Sequence, residues 1–199
     1  MPIDKKTINF YDENALKYAD WSSKKDSYFE LEQFCNLIIN NGHILDFGCG
    51  SGWACNYFVE KKFSVTALDA SKNLLSIIEE NIRLKKIHSD FSNIEYKNEF
   101  DGVWASFSLQ HVPKDQIPSI LDLLNNSLKP NSILYIGIHE GGNIYRDKFG
   151  RLYCYFNEKE IRFLLNKSNF KILKINKKKS QSFDGKQINI MHIFSQKID

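Results

Sequence analysis

The run from His43 to Trp53 constrains the fold more than any other part of the chain. A short apolar segment leads into glycines spaced G-x-G-x-G (Gly48, Gly50 and Gly52), and a helix-like segment follows them. Glycine permits the positive φ angles of a tight turn and lets a ligand lie against bare backbone near a helix N-terminus. We therefore predict a strand, a ligand-binding turn and a helix, although a purely structural turn would use the same residues.

The spacing and charge of this turn favour one class of ligand. Dinucleotide-binding turns are spaced G-x-G-x-x-G, which differs from the spacing here. Asp46 stands two residues before Gly48, where a carboxylate suits a ligand with a cationic ammonium group and would repel a diphosphate.

A second acidic residue, Asp69, ends the apolar segment Ser64–Asp69 about twenty residues after the glycines. From that position a carboxylate can accept hydrogen bonds from both hydroxyls of a ribose. The alternative is that Asp69 caps the helix that begins near Lys72, a role that Ser71 could equally fill.

Short β-rich segments alternate with helix-like segments from residue 43 onward, which is typical of a parallel sheet covered by helices. The predicted strands are His43–Phe47, Ser64–Leu68, a weak strand near Ile87, Gly102–Ser106 and Ile133–Ile138. The predicted crossover helices are Trp53–Lys61, Lys72–Asn81 and Asp115–Leu128.

Helices and a hairpin are predicted outside this alternating region. A helix begins at Asn157, with Glu160 completing a capping box. The strands Phe170–Ile175 and Ile188–Gln196 follow, and we expect Lys177–Lys179 to lie in a solvated turn between them rather than on phosphates. Two helices, Thr7–Asp20 and Lys24–Asn40, precede the sheet, with Asn41-Gly42 ending the second.

Charge and composition exclude few functions. The net charge of +3 is small and its groups are interspersed, so nucleic-acid binding is permitted but not suggested. The four cysteines lack C-x-x-C spacing, and we predict reduced thiols and no metal site. Without an apolar leader or a long apolar run, the chain is expected to be soluble and cytoplasmic.

Five motifs together resemble the class I S-adenosylmethionine-dependent methyltransferases. They are Leu45–Gly52, Asp69, the third-strand segment Ser89-Asp90-Phe91, the fourth-strand segment from Phe100 to Pro113, and the turn Leu128–Ser132. In this family the acid of the third-strand segment usually contacts the adenine amino group. The third strand itself is a departure, because Leu84–His88 is more charged than the family pattern.

The resemblance implies a Rossmann-like α/β fold with a seven-stranded, mostly parallel sheet of order 3-2-1-4-5-7-6, the last strand antiparallel. It also implies S-adenosyl-L-methionine as the cofactor. We expect one domain, 1–199, made of a helical lid (1–41), a cofactor-binding core (43–140), an insertion on the acceptor side (141–156), and a helix with a hairpin (157–199). The predicted cofactor-binding residues are Tyr11, Tyr18, Asp46, Gly48, Cys49, Gly50, Gly52, Asp69, Ala70, Asp90, Phe91 and Ser106.

Candidates for the acceptor side follow the fourth and fifth strands. His111 is the predicted general base, with a structural role as the alternative. His139, Arg146 and Tyr153 are the predicted acceptor-binding residues, since aromatic rings can wall an apolar acceptor and Arg146 or Arg151 could pair with a carboxylate or phosphate. The tyrosines could equally pack against the N-terminal helices.

The predicted function is methyl transfer to nitrogen or oxygen of a small-molecule acceptor. A tRNA or protein methyltransferase is the enzymatic alternative, and it usually carries a basic face, an appended domain or an Asn/Asp-Pro-Pro-Tyr motif. The corresponding segment here reads Ala105-Ser106-Phe107-Ser108. A non-catalytic cofactor-binding scaffold remains open, as does the choice between monomer and homodimer.

Overall fold

The structure, a computed structural model, describes residues 4–23, 28–92 and 94–198. The strands of the described residues, in chain order, are β1 (His43–Phe47), β2 (Ser64–Asp69), β3 (Leu84–His88), β4 (Phe100–Ser106), β5 (Leu128–His139), β6 (Ile144–Arg146), β7 (Leu152–Cys154), β8 (Phe170–Gln181) and β9 (Gln187–Lys197). The helices are α1 (Lys5–Glu13), α2 (Ala15–Ser23), α3 (Tyr28–Cys35), α4 (Trp53–Glu60), α5 (Lys72–Ile77), α6 (Ile117–Ser127) and α7 (Glu158–Lys167). Short 3₁₀ helices span Leu109–His111 and Lys114–Gln116.

Seven strands form the main sheet, in the order β3-β2-β1-β4-β5-β9-β8. Numbered among themselves along the chain, these strands read 3-2-1-4-5-7-6. Strands β1 to β5 pair in parallel, and β9 is antiparallel to both β5 and β8. The predicted Rossmann-like α/β fold is confirmed. The charged segment Leu84–His88 forms the third strand, in parallel with β2.

Helices cover both faces of this sheet because its strands are apolar on both sides. Alternation along β1 sends Leu45 and Phe47 to the face covered by α6 and α7, and Ile44 to the face covered by α3 and α4. On the α3–α4 face, Trp104 stacks on Tyr135 with ring centroids 3.6 Å apart. No described helix is long and apolar enough to cross a membrane.

Three predicted helices differ from the structure by more than two residues at one end. The predicted helix Thr7–Asp20 is the pair α1 and α2, because the Asn14 side chain donates to the Phe10 carbonyl and ends α1. Helix α5 stops at Ile77, before the predicted end at Asn81, because Ile78 turns to an extended conformation. Helix α3 ends at Cys35 rather than Asn40, and the predicted segment 24–27 lies outside the described residues.

The C-terminal hairpin is longer than predicted, and the insertion has regular structure of its own. Lys177–Lys179 were expected in the turn, but they lie in β8, where Lys178 pairs with Ile190 in the strand register. The lysines are exposed, which suits an edge strand. Strands β6 and β7 form a separate two-stranded hairpin in the predicted insertion.

Candidate functional site

The glycine turn lies between β1 and α4, at the carboxyl edge of the parallel strands. Gly48 has φ +79°, and a β-carbon there would lie 2.3 Å from the Ser108 β-carbon, so the fold itself requires glycine. Gly50 has φ +56°, but a β-carbon there would meet nothing nearer than the Tyr18 ring at 3.8 Å. The two glycines therefore differ: Gly48 allows close packing within the protein, whereas Gly50 leaves open space above the turn.

Asp69 closes this turn from the end of β2. Its two carboxylate oxygens accept the backbone N–H groups of Gly50 and Ser71, each at 2.8 Å. Burial raises its pKa, against the backbone hydrogen bonds that lower it. Ser71, not Asp69, caps α5 by accepting the Leu74 N–H, so the carboxylate of Asp69 is not needed as the helix cap.

A cleft opens above the turn, which we call the first cleft. It contains about 540 Å³ of space including its open mouth. Nine predicted residues line it, namely Tyr11, Tyr18, Gly48, Gly50, Asp69, Ala70, Phe91, Ser106 and His111, together with Thr7, Ile8, Ser71, Leu74, Phe107 and Ser108. The fold thus brings together most of the predicted cofactor-binding residues, which come from widely separated motifs.

Four predicted cofactor-binding residues do not line the first cleft. Asp46 lies buried behind the turn, where the Cys55 thiol donates to it at 3.1 Å, and burial raises its pKa to about 7. Cys49 is buried, and Gly52 is the N-cap residue of α4. Asp90 accepts hydrogen bonds from the backbone and hydroxyl of Ser92.

His111 connects two segments above the first cleft. Its Nδ1 lies 2.7 Å from the Leu152 carbonyl and must donate to it, which leaves Nε2 as the acceptor of the Tyr11 hydroxyl at 3.0 Å. Burial lowers the pKa of His111 to about 4. The imidazole is therefore neutral at physiological pH, with its basic nitrogen directed at Tyr11.

A second cleft adjoins the first and contains about 620 Å³ including its mouth. The two clefts share four lining residues: Tyr11, Tyr18, Ser106 and Phe107. The second cleft is also lined by Trp21, Ser22, Trp53, Gln110, His139, Arg151, Tyr153, Ser180, Ser182, Phe183, Ile188 and Ile190. Two predicted acceptor-binding residues, His139 and Tyr153, stack in parallel here with ring centroids 5.3 Å apart.

The two arginines of the insertion are occupied by carboxylates. Arg146, a predicted acceptor-binding residue, does not line either cleft but pairs with Asp4 at 2.7 Å on the surface. Arg151 lines the second cleft, where two of its nitrogens donate to Asp147 Oδ2 at 2.7 and 2.9 Å. Both side chains of the Arg151–Asp147 pair are about 1% exposed.

Sequence reasoning missed several lining residues. Phe107 has φ +56°, a left-handed conformation that costs a bulky residue roughly 1–2 kcal/mol, and no residue pattern around it signals this. Phe183 lies in the polar segment between the two predicted C-terminal strands. A single aromatic residue in a polar segment was the one sequence signal that could have identified it. Trp21 and Trp53 reach the second cleft from α2 and α4.

Comparison with known proteins identifies the family. A family model described as a methyltransferase domain matches residues 44–131. The malonyl-[acyl-carrier protein] O-methyltransferase of Buchnera aphidicola is 31% identical over 173 residues, which cover 81% of this chain and 66% of that protein. The ribosomal RNA small subunit methyltransferase A of Mesomycoplasma hyopneumoniae is 35% identical over 66 residues, 32% of this chain and 26% of that protein.

A solved structure shares the fold. It is the 1,6-didemethyltoxoflavin-N1-methyltransferase of Burkholderia thailandensis, with a TM-score of 0.80, 20% identity, and coverage of 98% of this chain and 88% of that one. The chain spans at most two thirds of the length of the two curated relatives above. The motifs, the strand order and the family match agree, and S-adenosyl-L-methionine is the cofactor of this family. The chain belongs to the class I S-adenosylmethionine-dependent methyltransferases.

Proposed function

We propose that this protein transfers a methyl group from S-adenosylmethionine in the first cleft to an oxygen or nitrogen of a small molecule in the second cleft. The observation that carries the proposal is the junction of the clefts, where Tyr11, Tyr18, Ser106 and Phe107 line both. A methyl donor and its acceptor must meet in line, so two adjoining clefts with a shared wall suit the reaction.

The residues of the first cleft fit the cofactor. Asp69 offers further lone pairs to ribose hydroxyls, and the open space above Gly50 accommodates a ligand close to the backbone. The hydroxyl of Ser108 is buried and has no hydrogen-bond partner among the described residues. A buried hydroxyl without a partner is costly, and a polar ligand would satisfy it.

The cofactor supplies, when bound, a methyl group that is already electrophilic because it is attached to a positively charged sulfur. The protein's part is to orient the acceptor, exclude water and accept a proton. On transfer the acceptor would gain the methyl group and lose a proton, and the cofactor would leave as S-adenosylhomocysteine.

Tyr11 and His111 form the route for that proton. Tyr11 lines the second cleft, and its hydroxyl donates to His111 Nε2. A proton from the acceptor would pass to the Tyr11 oxygen as the Tyr11 proton moves to His111, and the Leu152 carbonyl would stabilise the resulting imidazolium through Nδ1–H. The low pKa of His111 favours acceptors whose own proton is acidic.

The N-terminal helices α1 and α2 act in this proposal as the lid over both clefts. Asp12 anchors α1 to α5 by accepting from the Ser71 hydroxyl at 2.6 Å and from the Asn73 N–H at 3.0 Å. Thr7 accepts the Leu152 N–H from the insertion at 2.9 Å. The lid, the insertion and the β8–β9 hairpin thus enclose the acceptor position, which supports a small acceptor over a long RNA or protein segment.

Isothermal titration calorimetry tests the first half of the proposal. S-adenosylmethionine and S-adenosylhomocysteine should each bind saturably at one site, and NAD should not bind. Binding of NAD alone, or of no nucleoside ligand, would overturn it. Formation of S-adenosylhomocysteine with a panel of phenols, amines and RNA then tests the second half, and turnover with RNA alone would refute the small-molecule acceptor.

A further inference from the structure

Phe107 is one of the four residues that line both clefts at their junction. It follows the last residue of β4 with φ +56°, and its N–H donates to the Gly137 carbonyl at 2.8 Å. A β-carbon on Gly137 would lie 3.3 Å from the Phe107 ring, so glycine leaves room for it. The left-handed backbone is unfavourable for phenylalanine, and such conformations are concentrated at functional sites. Here the ring lines both clefts.

The other walls of the second cleft are also largely aromatic. Trp21 packs edge-on against Phe183 at 5.3 Å, and Tyr153 stacks on His139 with an angle of 7° between the rings. These side chains come from the lid, the hairpin, the insertion and the end of β5. Because several segments contribute aromatic rings, the cleft favours a flat aromatic ligand, whose binding is stabilised by stacked and edge-on ring contacts.

The charge of the second cleft argues against an ionic acceptor. Among the described residues that line it, Arg151 is the one Asp, Glu, Lys or Arg residue, and its ion pair with buried Asp147 balances its charge. Five aromatic rings lie 4.6 to 5.7 Å from the Arg151 guanidinium. An anionic acceptor would have to compete with Asp147, and a cationic acceptor would find no carboxylate in the described lining.

We propose that the acceptor is an uncharged, flat aromatic or heteroaromatic molecule with a hydroxyl or ring N–H group, and that Phe107 packs against its ring and positions the reacting atom. This inference rests on the proposed function and names the substrate class of the same site. Serine hydroxyls and Gln110 among the lining residues provide partners for a few polar groups on such a ring.

Four probes with the same two-ring carbon skeleton test the substrate class, each titrated into the full chain saturated with S-adenosylhomocysteine. They are 2-naphthol, its saturated analogue decahydro-2-naphthol, anionic 2-naphthoate and cationic 2-naphthyltrimethylammonium. We expect 2-naphthol to bind at least ten-fold more tightly than each of the others. Equal or weaker binding of 2-naphthol would overturn the inference while leaving cofactor binding intact. Failure of S-adenosylhomocysteine to bind would overturn the proposed function as well.

Substitutions at Phe107 test its own role. Phe107→Leu keeps an apolar side chain but removes the flat ring, so the preference for 2-naphthol over its saturated analogue should fall from ten-fold to three-fold or less. Phe163→Leu is the matched control, because Phe163 is 66% exposed on α7, and it should leave the preference unchanged. An unchanged preference in Phe107→Leu would remove Phe107 from acceptor recognition.

Two further variants test the backbone strain independently of any ligand. Glycine tolerates φ +56° and alanine does not, so Phe107→Gly should unfold at a higher temperature than Phe107→Ala, the reverse of the usual order. If the alanine variant is as stable as the glycine variant, position 107 is not strained and the argument from its conformation fails.

Discussion

The two clefts are built by different means. The first cleft depends mainly on short segments at the ends of β1, β2 and β4, with Gly48, Gly50 and Asp69 at its centre. The second cleft is walled by side chains from α1 and α2, α4, the β6–β7 segment and the β8–β9 hairpin, which are far apart in sequence. In the proposed function, backbone groups and one carboxylate bind an invariant cofactor, whereas side chains from several segments bind the acceptor.

The largest expected effect is at Gly50, where a side chain would occupy the open space of the first cleft. Gly50→Leu should weaken S-adenosylmethionine binding about 100-fold or more, a loss of about 2.8 kcal/mol, as measured by calorimetry. Gly185→Leu is the matched control, because Gly185 also has positive φ but lies at the hairpin tip with nothing near its β-carbon position. Equal affinity in the two variants would mean that no ligand approaches Gly50.

Asp69 should follow with a smaller effect. Asp69→Ala removes a half-buried acceptor of hydrogen bonds and should weaken cofactor binding by about 1–3 kcal/mol. The exposed Asp122→Ala on α6 should bind as the unmodified protein does. Unchanged affinity in Asp69→Ala would leave this carboxylate with only its structural bonds to Gly50 and Ser71.

Asp46 lies behind the turn and does not line the first cleft, but its charge should change the affinity for the cofactor. With a pKa of about 7 its ionised fraction rises from about one tenth at pH 6 to about nine tenths at pH 8. If the ionised form attracts the ammonium group of the cofactor, affinity should rise up to ~10-fold over this range, and Asp46→Asn should abolish the rise. Parallel pH profiles for the two proteins would limit Asp46 to a structural role.

The same carboxyl should also affect stability. The pKa of Asp46 in the folded protein is above the ordinary value of 3.8, so the folded state holds this proton more tightly than the unfolded state. The free energy of unfolding should therefore fall as pH rises from about 4 to about 7, and level off above that window. In Asp46→Asn, chemical denaturation across this range should show a smaller fall; the same slope in both proteins would contradict the raised pKa.

Tyr11→Phe should have the smallest effect on stability, and it acts where the clefts meet. It removes the hydroxyl between Arg151 and His111 while keeping the ring. We expect a loss of about 1 kcal/mol in stability, or about 2–4 °C in melting temperature for a chain of this size. Tyr28→Phe, at a tyrosine that is 59% exposed, should melt as the unmodified protein does. A melting temperature unchanged in Tyr11→Phe would show that this hydroxyl does not hold the lid.

The sequence by itself determined the sheet, the glycine turn and the residues at its strand ends. These features depend on local patterns. The period of the apolar residues, the spacing of the glycines and an acidic residue at the end of a strand each involve only a few neighbouring residues. Asn157 with Glu160, for example, forms the predicted capping box. Even here, local pattern did not locate helix ends such as that of α5, where the extended backbone at Ile78 ends the helix.

Only the tertiary structure decided how the second cleft is arranged. The sequence predicted that either Arg146 or Arg151 could pair with a carboxylate or phosphate. In the structure Arg146 pairs with Asp4 on the surface, and Arg151 pairs with Asp147 in the wall of the second cleft. The position of Phe107 depends on the hydrogen bond from its N–H to the Gly137 carbonyl on the neighbouring strand β5. No residue pattern near Phe107 encodes this contact. Contacts between distant segments depend on how the elements pack, and so local sequence cannot specify them.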